Sequence, residues 1–154
     1  MQARFLTVAV ALSTLAASLA VLPAGAQNTA PIKQRQELMK ENGRSAKSAG
    51  EMIKGEAAFD PAKAATIFTE MHDVAMEFGD HFPEDSKTGE ETEAAPAIWE
   101  RPAEFEAALV KFQQDTQTAM DAAPQELDAF RQAFGSVAEN CKGCHEEFRL
   151  DKDG

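Results

Sequence analysis

The sequence predicts an all-α protein, an antiparallel four-helix bundle, on three observations. Ala, Glu, Lys, Gln, Met and Leu, which favour helix, dominate the chain, while tyrosine is absent and β-branched runs are few. Four segments of roughly 18 to 25 residues repeat apolar side chains at spacings of three and four, the signature of one buried helix face. The joints between most of them are short, and short joints make sequential helices antiparallel neighbours.

Ahead of the bundle, residues 1–26 read as a cleaved signal peptide. Arg4 supplies a positive start, Phe5 to Leu22 is almost wholly apolar, and Ala24-Gly25-Ala26 fits a peptidase site before Gln27. An uncleaved anchor is the competing reading, since eighteen apolar residues just span a bilayer. Helix-breaking Pro23 and the small-residue site favour cleavage. No later stretch is long and apolar enough to span a membrane, so the expectation is a single exported domain over 27–154.

Loss of Arg4 takes the formal charge from −11 to −12. Such acidity repels nucleic acid phosphates, and it suits steering toward a partner protein with a basic surface.

The first helix is expected from about Pro31 to Lys54, with Ile32, Met39, Gly43, Ala46, Gly50 and Ile53 along one side. Gly43 costs helix propensity, and two readings explain it equally: a close helix crossing, or room for something bulky beside the backbone. The second helix opens on Asp60-Pro61, a cap followed by a first-turn proline, and runs to about Gly79 with Ala64, Phe68, Met71, Ala75 and Phe78 inward. Asp80 to Pro96 turns acidic and carries Pro83, Gly89 and Pro96, so it reads as a long solvated connection. The third helix spans about Pro102 to Ala122, with Phe105, Leu109, Phe112, Thr116 and Ala119 on one side and Trp99 as a packing anchor at its start. The fourth spans about Pro124 to Phe148 with Leu127, Phe130, Phe134, Val137, Cys141, Cys144 and Phe148 in register. These stripes are rich in small residues, and a large apolar cofactor would complete the core.

The two cysteines continue the last stripe, and His145 follows the second directly. On a helix, positions i and i+3 share a face and i+4 stands beside the first. That geometry lets two thiols add across the vinyl groups of haem while the adjacent imidazole binds iron. Three other readings compete. A redox dithiol sits at a helix N-terminus after a strand. Zinc wants four ligands, and only His72 and His81 remain as further imidazoles. A disulfide between i and i+3 would strain the helix and close a trivial loop. Covalent haem c, one per chain, is the expectation.

The chain resembles the cytochrome c′ family, the class II c-type cytochromes, over essentially the whole mature sequence. The resemblance rests on N-C-K-G-C-H-E-E-F-R at the end and Q-R-Q-E-L-M-K-E-N-G-R at the front. K-G-E-A-A-F-D, F-P-E-D-S-K-T-G and P-A-I-W lie between them. It implies a periplasmic bundle with covalent haem, His145 as proximal iron ligand, and homodimers that commonly form through the first two helices.

It also places Met39 over the distal haem face, and L-M-K-E-N-G-R is similar to the low-spin, methionine-ligated branch. Met39 is therefore the expected sixth ligand of an electron carrier. The alternative is a five-coordinate, NO- or CO-binding protein in which Met39 only packs, as methionine on an apolar face usually does. Met52, Met71, Met76 and Met120 are expected to pack, His72 to lie at a boundary and His81 to be solvated. The resemblance implies that Arg35, one turn before Met39, reaches a haem propionate; a solvated helix residue is the other reading. It sets Arg149 beside the proximal imidazole, where it equally suits capping the last carbonyls. Phe134 and Phe148, one or two turns from the motif, are expected to line the pocket. No nucleophile–base arrangement suggests an enzyme.

Overall fold

A computed structural model describes residues 28–150, so the expected signal peptide lies outside the described residues. The helices are α1 (Thr29–Lys54), α2 (Pro61–Glu77), a short α3 (Ala97–Glu100), α4 (Pro102–Ala122) and α5 (Leu127–Phe148). α1 packs on α2, α2 on α4, and α4 on α5, which closes a four-helix bundle. No helix among the described residues is long and apolar enough to cross a membrane.

The helix ends follow local chemistry. Gly55, at φ 76°, takes the left-handed conformation that ends α1, and the amide of Glu56 reaches back to the Glu51 carbonyl at 2.9 Å. Asp60 caps α2 by accepting from the amides of Ala62 (2.9 Å) and Lys63 (3.3 Å). α5 begins at Leu127, later than the expected Pro124. Ala123 is left-handed at φ 38°, and the chain needs Pro124 to Glu126, the last of them extended, to reverse direction.

The connection after α2 is not the solvated loop its acidity suggests. It forms two 3-10 turns, Phe78–His81 and Glu84–Ser86, and then α3. Ser86 is fully buried, and Ala95 and Ile98 are buried as well. Trp99 belongs to α3 rather than to α4, where its indole N–H donates to the Phe82 carbonyl at 2.9 Å. The connection then stitches to the end of α5: the Ala95 amide donates to the Phe148 carbonyl (3.0 Å) and the Leu150 amide to that of Glu93 (2.8 Å).

Two apolar clusters result. One holds Met52, Phe68, Met71, Phe130 and Val137, with Phe130 ringed by Phe59, Phe68 and Phe134 at 5.3 to 6.0 Å between centroids. The other, at the opposite end of α5, gathers Ile98, Phe105 and Phe148, with Phe82, Leu109 and Cys144 against them. Met52 and Met71 are buried and Met120 is partly buried, as expected of packing residues. Met76 is not: it is 57% exposed, because it lies on the outer side of α2.

Candidate haem-binding site

The second cluster borders a cavity of about 490 Å³, within the roughly 300 to 1,000 Å³ usual for cofactor sites. α1 contributes Arg35, Met39, Asn42 and Gly43, and α5 contributes Cys141, Cys144, His145, Phe148 and Arg149. Phe78, Phe82, Phe105, Leu109 and Phe112 make most of the remaining wall apolar. Of the residues expected at the site from the sequence, Phe134 alone is elsewhere. It packs against Phe130 in the other cluster. Helical spacing put it on the right face of α5 but could not tell which of two clusters that face meets.

Both thiols are free and half-buried, so no disulfide closes the pair. Burial pushes the Cys141 thiol up, and burial together with the neighbouring Cys141 pushes Cys144 up to about 11. These cysteines are neutral thiols in a weakly polar place, unlike a redox dithiol whose thiolate is stabilised. Burial, then the charge of Arg149, lowers the pKa of His145, against an opposing effect of Glu93. The imidazole is thereby held in the neutral form that binds a metal.

Arg35 is not a solvated helix residue. It is 4% exposed, and its Nη1 donates to the His81 carbonyl and Ser86 Oγ, both at 3.0 Å. Its Nη2 donates to the Ser86 carbonyl at 2.9 Å and to Thr92 Oγ1 at 2.8 Å. The guanidinium also lies over the rings of Phe82 (4.9 Å) and Trp99 (5.9 Å). All four oxygens are neutral, and burial lowers the pKa of the group. A buried guanidinium on a cavity wall with no carboxylate among these partners fits an anionic group of the occupant.

Arg149 forms an ion pair with Glu93 at 2.6 Å rather than capping carbonyls with its side chain. Only its amide serves the helix end, donating to the His145 carbonyl at 3.3 Å. Glu93 of the acidic run is thus drawn into the site's rim. His72 bonds Thr116 Oγ1 through Nδ1 at 3.0 Å and does not line the cavity. His81 meets Glu77 at 3.1 Å with its side chain only 20% exposed, so it is not simply solvated.

Gly43 now has one explanation. A Cβ built there would meet nothing within 4 Å, so no helix crosses it closely, and the space beside it belongs to the cavity. Asn42 was overlooked in the sequence; its place seven residues after Arg35 on one helix face was the available signal. The donor set, the free thiols, the open wall at Gly43 and the Arg35 charge, which has no carboxylate among its partners, together fit a haem.

A helical bundle that carries Cys-x-x-Cys-His on the wall of such a cavity belongs to the haem-binding bundles. The comparisons with known proteins make the class specific. The family model described as Cytochrome C′ matches residues 30–149. A cytochrome c′ of Rhodopseudomonas palustris is 36% identical over 138 residues, covering 88% of this chain and 94% of that protein. A cytochrome c-556 of Agrobacterium fabrum is 32% identical, over 79% and 82% of the two chains. The solved structure of a cytochrome c′ from Rhodopseudomonas palustris superposes with a TM-score of 0.77 at 34% identity, covering 81% of this chain and 99% of that one. The chain belongs to the cytochrome c′ family, and its cofactor is covalently bound haem c.

Proposed function

We propose that this protein is a periplasmic electron carrier that holds one haem by thioether links to Cys141 and Cys144, its iron bound by His145 and Met39. The observation that carries the reading is the place of Met39, on the cavity wall one turn from Arg35 and beside the open stretch at Gly43. The haem supplies the ferric–ferrous couple. The chain's residues set the conditions under which that couple works. His145 is kept neutral by burial and by Arg149, and the Met39 thioether is a soft donor that favours the ferrous state. The apolar wall of Phe78, Phe82, Phe105, Leu109 and Phe112 lowers the local polarity and disfavours the more highly charged ferric form. Arg35, whose four Nη–H donors are held by neutral oxygens of the 81–92 segment, places an uncompensated positive charge on the cavity wall that attracts a propionate. No bond in a substrate is made or broken, and the formal charge of −12 left after loss of Arg4 favours encounter with partners of basic surface.

The test is the absorption spectrum of the exported holoprotein, ferric and ferrous, with and without CO. A low-spin spectrum unchanged by CO, converted to a CO-sensitive one by Met39→Ala, is the expected result. A high-spin spectrum that shifts with CO in the unaltered protein would replace the carrier by the gas-binding reading.

A further inference from the structure

The charges of this chain are unevenly placed. α1 carries six lysines and arginines, whereas α2 beyond Lys63, and the segment that follows it as far as Ser86, carry none. α4 carries only Lys111, which pairs with Asp115 at 2.5 Å, and Asp115 also takes Asn140 of α5, so this pair faces α5. The other flank of α4 meets α2. Gln113 donates there to the Ala75 carbonyl, and His72 bonds Thr116, both at 3.0 Å.

At the end of this α2–α4 seam lies a hollow of about 410 Å³, with the exposed carboxylates Glu84 and Glu106 on its walls. Phe82, Ile98, Phe105 and Leu109 line both the hollow and the haem cavity, so one layer of side chains separates the two. Met76 and Val110 extend the apolar edge. Met76 stands one turn before Gly79 of the hollow and Val110 one turn after Glu106. They are two of the three large apolar side chains exposed among the described residues. Asp73, one turn before Met76, and Asp80, directly after Gly79, are exposed as well. Glu84 is held by Lys87 at 2.5 Å, but Glu106 has no ion-pair partner among the described residues. Apolar side chains ringed by charge of one sign are how a weak, steered protein contact is built.

We propose that this hollow and its rim are the docking surface for a redox partner that presents a lysine or arginine among apolar side chains. The basic group meets Glu106, the apolar ones cover Met76 and Val110, and the partner's oxidised centre is brought toward the haem across that single layer. One electron leaves the ferrous iron, which becomes ferric, and reduces the partner's centre by one. A second copy of this chain fits poorly, because it would set Glu106 and Asp73 against the same carboxylates. An anionic lipid surface is repelled for the same reason. The inference deepens the carrier reading and rests on it.

Tris(1,10-phenanthroline)cobalt(III) supplies a 3+ charge in an apolar shell, and hexaamminecobalt(III) the same charge without one. The ferric holoprotein reduces neither, so titrations followed by amide NMR read binding alone. The phenanthroline complex is expected to shift the amides of Gly79, Glu106 and Val110 and the Trp99 indole N–H more than any amide of α1 or α5. Val110→Ser removes about 30 Å² of apolar contact and is expected to weaken that complex by about threefold while leaving hexaamminecobalt(III) unchanged. Mixing the ferrous holoprotein with the phenanthroline complex then reads electron transfer. Glu106→Lys changes two charge units about 8 Å from the probe's centre, which at about 0.1 M salt slows oxidation by about tenfold. Glu146→Lys, an equal change of charge on exposed α5, is expected to slow it by less than about threefold. Equal slowing by the two variants, or shifts confined to α1 and α5, would overturn the proposal. So would a dimer of the unaltered holoprotein that Glu106→Lys dissociates, since a second copy would then cover the face. Failure of the carrier reading shows separately, as a CO-sensitive spectrum of the unaltered ferrous protein whatever the two charge variants do, and this proposal then falls with it.

Discussion

Replacing Arg35 by leucine tests whether the 78–96 connection is held by this one side chain. The substitution removes four N–H donors and strands their acceptors unequally. Ser86 Oγ keeps its bond to the Pro83 carbonyl at 2.8 Å, and Thr92 Oγ1 keeps the amide of Ala94 at 3.2 Å. The carbonyls of Ser86 and His81 lose the guanidinium outright. Ser86 is fully buried, so its carbonyl bears the larger cost, about 2 to 3 kcal/mol, while the His81 carbonyl at the edge bears about 1. Release of the guanidinium from its buried place offsets about 1 kcal/mol. The net loss is about 2 to 3 kcal/mol. For a domain of this size that lowers the melting temperature by roughly 8 to 12 °C. Urea unfolding of the holoprotein, followed by helical circular dichroism, measures the difference. Arg35→Lys keeps the charge without the fork and is expected to fall between wild type and Arg35→Leu. A leucine variant within about 0.5 kcal/mol of wild type would refute the reasoning, since packing of Phe82 and Ile98 would then hold the connection unaided.

Phe130→Ala, at the fully buried centre of the other cluster, should cost about 3 to 5 kcal/mol in the same assay while leaving the haem spectrum unchanged. Burial acts to raise the pKa of Asp115, but hydrogen bonds from Asn140 and Lys111 outweigh it and hold the value below the usual 3.8. Its stabilising effect is therefore complete above pH 3.8 and is lost as pH falls through the lower folded value. An acid titration of stability should accordingly show a smaller drop in that window for Asp115→Asn than for wild type.

The sequence was most legible where chain chemistry acts locally. Asp60-Pro61 and Pro102 mark helix starts, and the structure begins helices there. Cys141, Cys144 and His145 declared themselves by spacing alone, and the structure brings all three to one cavity with Met39 and Arg35. What was hidden depends on distant partners. The connection read as solvated because Glu90, Glu91 and Glu93 dominate it, yet Ser86 and Thr92 are drawn inward by an arginine more than fifty residues earlier. Phe134 and Phe148 occupy one helical stripe, and no local signal says that the stripe meets two different clusters. Asn42 looked like an ordinary polar residue, because the burial of its unpartnered Oδ1 is a property of the packed bundle and not of the local sequence.

The stitch between residues 93–95 and the end of α5 has a consequence for how the molecule opens. A helix ordinarily frays from its ends, and its last turn exchanges amide protons first. Here the final turn is pinned by main-chain bonds at Phe148 and Leu150 and by the Arg149–Glu93 pair. Cys144 and His145 lie within one turn of that anchor, so the last helix cannot unwind past them unless the connection lifts away as well. The Cys-x-x-Cys-His segment therefore sits in the interior of a cooperative unit rather than on a helix end that unwinds alone.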